Sequence, residues 1–301
     1  MKCRRCQKQA VVALPSHNTA FCADCYLLFF KRQVEKAIKD HKLLTQNDKV
    51  VVAISGGKDS LALTWQLANL GYDVTGLHID LAIPDSSEKA REITTNFCKK
   101  FNIKLKILEI KNEGLAIPEV KKRIRRPVCS VCGQIKRYYF NKFALDHGFT
   151  VLATGHNLND EVARLLSNTL RWDTAYLSDQ GPLLPAENGF MRKVKPLYRL
   201  TEFETANLCY LVGIEYGFTP CPYSSGASFT YYKQLLDELE FNQPGRKLQF
   251  YEGFLKRGQK AFKLLEQKQG QELNPCPECG YPTSGELCGV CRIKKMMGVM
   301  K

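Results

Sequence analysis

No stretch of this 301-residue chain approaches the roughly 20 uninterrupted apolar residues that a membrane span requires. Its opening, Met1-Lys2-Cys3-Arg4-Arg5-Cys6, lacks the apolar core of a signal peptide. A membrane role is thereby excluded and a cytoplasmic location expected. Acidic residues are also short: 30 Asp and Glu stand against 44 Lys and Arg, a formal charge of +14. The excess is clustered in Lys121-Lys122-Arg123-Ile124-Arg125-Arg126, in Arg192-Lys193-Val194-Lys195, and in Arg292, Lys294 and Lys295. Any one run is as readily a solvated face as a binding surface, but together they favour a polyanionic partner, RNA. Without an export signal, thirteen cysteines do not suit a disulfide framework, because cytosolic thiols are kept reduced. Metal binding suits them better.

Hydrophobic content of 44% is enough for one main domain with appendages. Residues 1–27 form a small cysteine module, and 28–47 a linker helix with apolar positions at helical spacing. From 48 to 220 strands and helices alternate. Strands are expected at 49–54, 73–80, 104–110, 150–154 and 190–195, and helices at 58–70, 87–101, 130–147, 159–170 and 201–212. This alternation predicts an α/β domain with a doubly wound parallel sheet, which binds ligands at the carboxyl ends of its strands. Residues 221–273 read as helical, with helices at 228–241 and 244–268, and 274–301 as a second cysteine module.

Ser55-Gly56-Gly57-Lys58-Asp59-Ser60 follows an apolar strand and opens a helix, where backbone N–H groups and the helix dipole bind phosphate. The glycines allow close approach, Lys58 adds positive charge, and Ser55 and Ser60 can donate hydrogen bonds. A Walker A loop is absent: aligned on G-x-x-x-x-G-K-[ST], the segment puts Val52 where glycine is required and Asp59 where Ser or Thr is required. The segment instead resembles the SGGxDS loop of the ATP pyrophosphatase (PP-loop) superfamily, which implies cleavage of ATP between its α- and β-phosphates. Ala53 and Ile79, at the ends of the first two strands, are placed to contact the adenosine, and Gly155 completes the expected ATP site.

Cys3-x2-Cys6-x15-Cys22-x2-Cys25 and Cys276-x2-Cys279-x8-Cys288-x2-Cys291 each fit a structural four-thiolate zinc site, so two Zn2+ are expected. Cys98 and Cys209 fall in helix patterns as small hydrophobes. Cys129, Cys132 and Cys221 remain. By spacing they fit an iron–sulfur cluster with one open iron, a redox couple at Cys129/Cys132 carrying a persulfide, or free thiols. Spacing alone favours the redox couple.

Arg126-Pro127-Val128-Cys129-Ser130-Val131-Cys132-Gly133, then Lys136-Arg137, with Gly155-His156-Asn157-Leu158-Asn159-Asp160-Glu161 downstream, resembles the TtuA group of tRNA 2-thiouridine synthetases. The likeness extends over essentially the whole chain, including both terminal modules. It implies a [4Fe–4S] cluster on Cys129, Cys132 and Cys221 and catalytic roles for Lys136 and Asp160. Cys129, Cys132 and Lys136 also fall at i, i+3 and i+7 of the expected helix, on one face. Without the resemblance, Asp160 reads as a helix cap and Lys136 as a solvated base.

The chemistry so implied begins with a uracil C2 carbonyl, whose oxygen leaves badly until adenylation makes it a phosphate ester. ATP with Mg2+ would supply the adenylate and the cluster the route for sulfur. The resemblance further implies a tRNA substrate modified at position 54 of the T-loop, a ubiquitin-like sulfur-carrier protein with a C-terminal thiocarboxylate, and a homodimer. Three alternatives stand beside it: wobble-uridine thiolation, a non-thiolating PP-loop ligase or amidotransferase, and a non-catalytic zinc-ribbon RNA-binding protein.

Overall fold

A computed structural model of the chain describes residues 1–217, 221–223, 228–266 and 273–300. The amino end forms a hairpin of β1 (Val12–Leu14) and β2 (Thr19–Phe21), followed by α1 (Ala23–His41). The hairpin was not expected from sequence. The helix also begins inside the cysteine module, so Cys25 lies on its first turn and module and linker form one unit.

The α/β domain then runs β3 (Lys49–Ala53), α2 (Lys58–Asn69), β4 (Asp73–Asp80), α3 (Ser86–Lys100), β5 (Lys104–Glu109), α4 (Ile117–Arg123), α5 (Val128–Asp146), β6 (Val151–Thr154), α6 (Leu158–Leu170), α7 (Thr174–Asp179), β7 (Leu183–Leu184), β8 (Lys193–Val194) and α8 (Glu202–Val212). The sheet order is β5-β4-β3-β6-β8-β7. Five strands are parallel and β7 is an antiparallel edge. Only two residues of the expected 190–195 strand pair, and its partner β7 is equally short, because both sit at the sheet margin where side-chain pattern carries little signal. The chain builds outward from β3 through β4 to β5, then returns to place β6 on the other side of β3. A crevice therefore opens at the carboxyl ends of β3 and β6.

Val50, Val51 and Val52 are buried with helices on both sides of the sheet, which is why β3 is apolar from Val50 to Ala53 instead of alternating. α6 and α8 each start with a capping box, Asn157 with Asp160 and Thr201 with Glu204. α2 differs: its N-cap is Gly57, which offers no side-chain cap and leaves the first N–H groups open.

Past the α/β domain come α9 (Ser228–Asn242), α10 (Arg246–Gly253) and α11 (Gln259–Glu266). The single helix expected over 244–268 is divided by a π-turn at Phe254–Gly258, and its last two residues lie outside the described part. The carboxyl module consists of β9 (Asn274–Pro275), β10 (Pro282–Thr283) and α12 (Gly289–Met297). It does not stand apart. Val290, Ile293 and Met297 join Ile117, Val120, Val131, Ile135, Tyr138 and Tyr139 in one apolar cluster, so α12 packs on the back of α4 and α5.

Candidate active site and metal centres

Ala53 of β3 pairs with Thr154 of β6, so the two loops that leave these strands lie side by side. A methyl group added at Gly155 would come 2.7 Å from the Ser60 nitrogen and 2.8 Å from the Asp59 carbonyl carbon. Only glycine permits this approach. Gly56 holds a left-handed φ of +80°, with Ala90 backbone atoms against it, and so turns the chain into α2. Ser60 Oγ donates to the Gly57 carbonyl at 2.9 Å and accepts from the Ser55 N–H at 3.2 Å. This is a pre-shaped turn with uncapped amides, as a phosphate cradle requires.

The turn opens into a cavity of about 880 Å3. Ala53, Ser55, Gly57, Asp59, Ser60, Ile79 and Gly155 line it, whereas Gly56 and Lys58 do not. The Lys58 ammonium lies 3.1 Å from Asp59 and 3.4 Å from Glu202. Asp59 also accepts from Thr205, and burial pushes its carboxyl up against the opposing pull of Lys58. His78, which sequence reasoning passed over, is buried in the same wall; its Nδ1 lies 3.0 Å from the Ile54 carbonyl and its Nε2 has no partner. An orphaned buried nitrogen beside Ile79 suits a polar ligand atom.

The opposite wall comes from α5. Cys129, Cys132 and Lys136 all line the cavity, and Cys221 and Tyr223 meet them there. Cys129 Sγ lies 3.1 Å from the Tyr223 carbonyl oxygen. Burial raises the Cys132 thiol, Lys136 opposes the shift, and Cys221 and Cys129 add to it, so the three thiols act on one another. In each terminal module the four sulfurs lie within 4.8 Å of one another; among the described residues the cavity trio does not close so tightly. The compact groups fit a single ion, and the wider trio around open space fits a larger centre. In the amino module, burial works against ionisation of Cys3, yet N–H groups of Cys22, Cys6 and Arg5 bring it down to about 6, and Cys276 is likewise brought to about 7 by its backbone donors. Thiolates so supported suit a cation. Cys98 and Cys209 are buried, which pushes them up to about 11 and about 12 and leaves them inert.

Asp160 reaches the cavity as the third residue of α6. Its carboxylate accepts from the Asn157 N–H at 3.2 Å and lies 2.6 Å from Lys233 of α9, which also reaches Glu202 at 2.6 Å. It is thus a helix cap and a member of the cavity at once. Nothing in the sequence pointed to Lys233, since α9 is brought against α6 only by tertiary packing.

Residues 27–217 match the PP-loop domain model, and residues 2–27 match the model described as 2-thiouridine synthetase TtuA, N-terminal LIM domain. The chain is 42% identical over 97% of its length to a tRNA-5-methyluridine(54) 2-sulfurtransferase of Pyrococcus horikoshii, covering 93% of that protein. It is 42% identical over 99% of its length to the protein of the same name from Thermotoga maritima, covering 97% of it. Among solved structures, the U34-tRNA thiolase NcsA from Methanococcus maripaludis with its [4Fe-4S] cluster superposes with a TM-score of 0.83 at 26% identity, covering 100% of this chain and 98% of the other. With a matching loop, a matching amino module and relatives aligned from end to end, the chain belongs to the PP-loop family of tRNA-5-methyluridine(54) 2-sulfurtransferases.

Proposed function

We propose that this protein is an ATP-dependent tRNA 2-thiolation enzyme that acts on the methylated uridine at position 54 of the T-loop. The observation that carries the reading is that one cavity is lined by the phosphate turn on one wall and by Cys129, Cys132, Cys221 and Lys136 on the other. Position 54 is preferred over the wobble position because relatives bearing that name are 42% identical, against 26% for the U34 thiolase.

The uncapped amides of α2 and the Ser55 and Ser60 hydroxyls would bind the ATP phosphates, with Mg2+ neutralising them, while Ala53, Ile79 and His78 receive the adenosine. A [4Fe–4S] cluster held by Cys129, Cys132 and Cys221 would supply a coordination site for sulfur. Lys136, one turn further along α5 from Cys132, would offset negative charge on the C2 oxygen. Asp160, held in place by Lys233 and the α6 cap, would move the proton. Each terminal module would hold one Zn2+ as a structural ion. A ubiquitin-like thiocarboxylate carrier as sulfur source, a homodimeric assembly and a cytoplasmic setting complete the proposal. Among the described residues, no helix is long and apolar enough to cross a membrane.

Anaerobic purification with metal analysis, then nucleoside mass spectrometry of tRNA incubated with ATP and sulfide, tests the reading. About four irons and two zincs per chain, AMP release and a thiolated methyluridine in the T-loop fragment are expected. Cys221→Ala should abolish cluster absorption and thiolation while keeping both zincs. Full iron content and full activity in Cys221→Ala would sink the three-cysteine assignment; thiolation confined to the anticodon fragment would select the wobble reading.

A further inference from the structure

Lys58 belongs to the phosphate turn yet does not line the cavity, because its ammonium is turned to Asp59 at 3.1 Å and to Glu202 at 3.4 Å. Glu202 is the first residue of α8. Its two carboxylate oxygens are divided: Oε2 accepts from Lys58, and Oε1 accepts from Lys233 of α9 at 2.6 Å. Lys233 in turn lies 2.6 Å from Asp160 Oδ1. A continuous line of alternating charge thus runs Asp59, Lys58, Glu202, Lys233, Asp160. Its two ends line the cavity and its three middle members do not.

The line exists because four helices meet there. Asp59, Asp160 and Glu202 all stand in the first turns of their helices, α2, α6 and α8, where the helix dipole favours negative charge. The Glu202 N–H donates to Asn159 Oδ1 at 3.2 Å, which ties the start of α8 to α6, while α2 packs on α8 and α6 on α9. The five side chains are only 21–36% exposed, so their pairing is screened less than that of a surface chain of charges. Burial works to raise the Glu202 carboxyl, but Lys233 and Lys58 overcome it and hold the group below the usual carboxylate range. Burial works against both ammonium groups as well; Asp59 and Glu202 outweigh it at Lys58, Asp160 and Glu202 at Lys233, and both are raised. Glu202 is therefore ionised between two cations at neutral pH.

We propose that Glu202 is a positioning residue of the thiolation reaction, which holds Asp160 in register with the phosphate turn by dividing its two oxygens between Lys58 and Lys233. The proposal rests on the functional reading above. Glu202 touches neither the nucleotide nor the base; it acts through the two lysines. A triphosphate in the cradle competes with Glu202 for the Lys58 ammonium, and whatever Lys58 gives up is returned through Glu202 to Lys233 and so to Asp160. Nucleotide arrival on one wall is thereby felt at the residue proposed to move the proton on the other. A consequence sets this role apart from simple packing: without the Glu202 charge Lys58 is freer for phosphate while Asp160 loses its register, so binding and turnover respond in opposite directions.

The test uses the full-length, anaerobically prepared protein with its cluster, unmodified tRNA, ATP and sulfide. Glu202→Gln keeps the size of the side chain and removes its charge. Single-turnover thiolation at saturating ATP should fall roughly tenfold to a hundredfold, while ATP affinity by calorimetry is kept or tightened. Lys233→Met should slow the reaction similarly, and Lys233→Arg should restore most of the rate. The double variant Glu202→Gln/Lys233→Met should be no slower than the worse single one, since members of one line do not add. Cluster absorption, zinc content and tRNA affinity should not change. If Glu202→Gln does not fold, the two Lys233 variants decide the matter. A wild-type rate in Glu202→Gln or in Lys233→Met refutes the proposal, as do losses that multiply in the double variant. A slower rate matched by an equal loss of ATP affinity and of melting temperature would reduce Glu202 to packing, and the proposal falls. In all these cases the functional reading survives; wild-type protein that releases no AMP and thiolates no tRNA overturns that reading itself.

Discussion

Gly155→Ala isolates the role of the contact between the β6–α6 turn and the phosphate loop. Gly155 does not have a positive φ, so alanine meets no backbone strain of its own and its whole cost is steric. The added methyl would sit 2.7 Å from the Ser60 nitrogen and 2.8 and 2.9 Å from the Asp59 carbonyl carbon and Ser60 Cα. All three are backbone atoms that cannot rotate away, so α2 and its first amides must be displaced. Forced overpacking of this kind costs about 1–3 kcal/mol. Because the displaced amides are those proposed to hold phosphate, most of that cost should appear as weakened ATP binding, roughly 5- to 150-fold. Calorimetric titration with ATP measures it. Gly148→Ala is the control: Gly148 has a φ of +66° and nothing within 4 Å of the added methyl, so it should lose about 1 kcal/mol of stability to backbone strain and keep its ATP affinity. Unchanged ATP affinity in Gly155→Ala, with unchanged melting temperature, would refute the claim that this approach shapes the nucleotide site.

Two further outcomes are expected. Asn157→Ala removes the acceptor for the Asp160 N–H and should cost about 1 kcal/mol in chemical denaturation while retaining turnover, whereas Asp160→Asn should fold normally and lose turnover; equal losses of both properties in both variants would leave Asp160 as a cap alone. Cys291→Ser should remove one zinc and loosen α12 from α5, where the Gly289 backbone lies so close to the Gln134 side chain that a methyl group would overlap it. Iron content should fall with the zinc, read by metal analysis; full iron with one zinc lost would show that the carboxyl module does not support the cysteine helix.

Much of the site was legible because it is local in the chain. The Ser55–Ser60 turn is a contiguous strand-to-helix segment, and Cys129, Cys132 and Lys136 share a face by helical periodicity alone. The paired cysteines of each terminal module are close in sequence, so their spacing carries the ligand geometry. Apolar runs of the right length marked β3 and β6, since a buried parallel strand is apolar on both faces. Tertiary structure decided what depends on distant segments. Lys233 meets Asp160 only because α9 packs on α6, and His78 loses its second partner only because β4 is covered. Lys193 belongs to a basic run that reads as a solvated face, yet the sheet places it beside Lys195 and Arg164, where lost hydration and repulsion strip its charge of support. α12 against α5, likewise, joins two segments with no pattern in common. Spacing fixes which side chains lie on one short element, whereas burial and electrostatics are sums over neighbours that only the folded chain brings together.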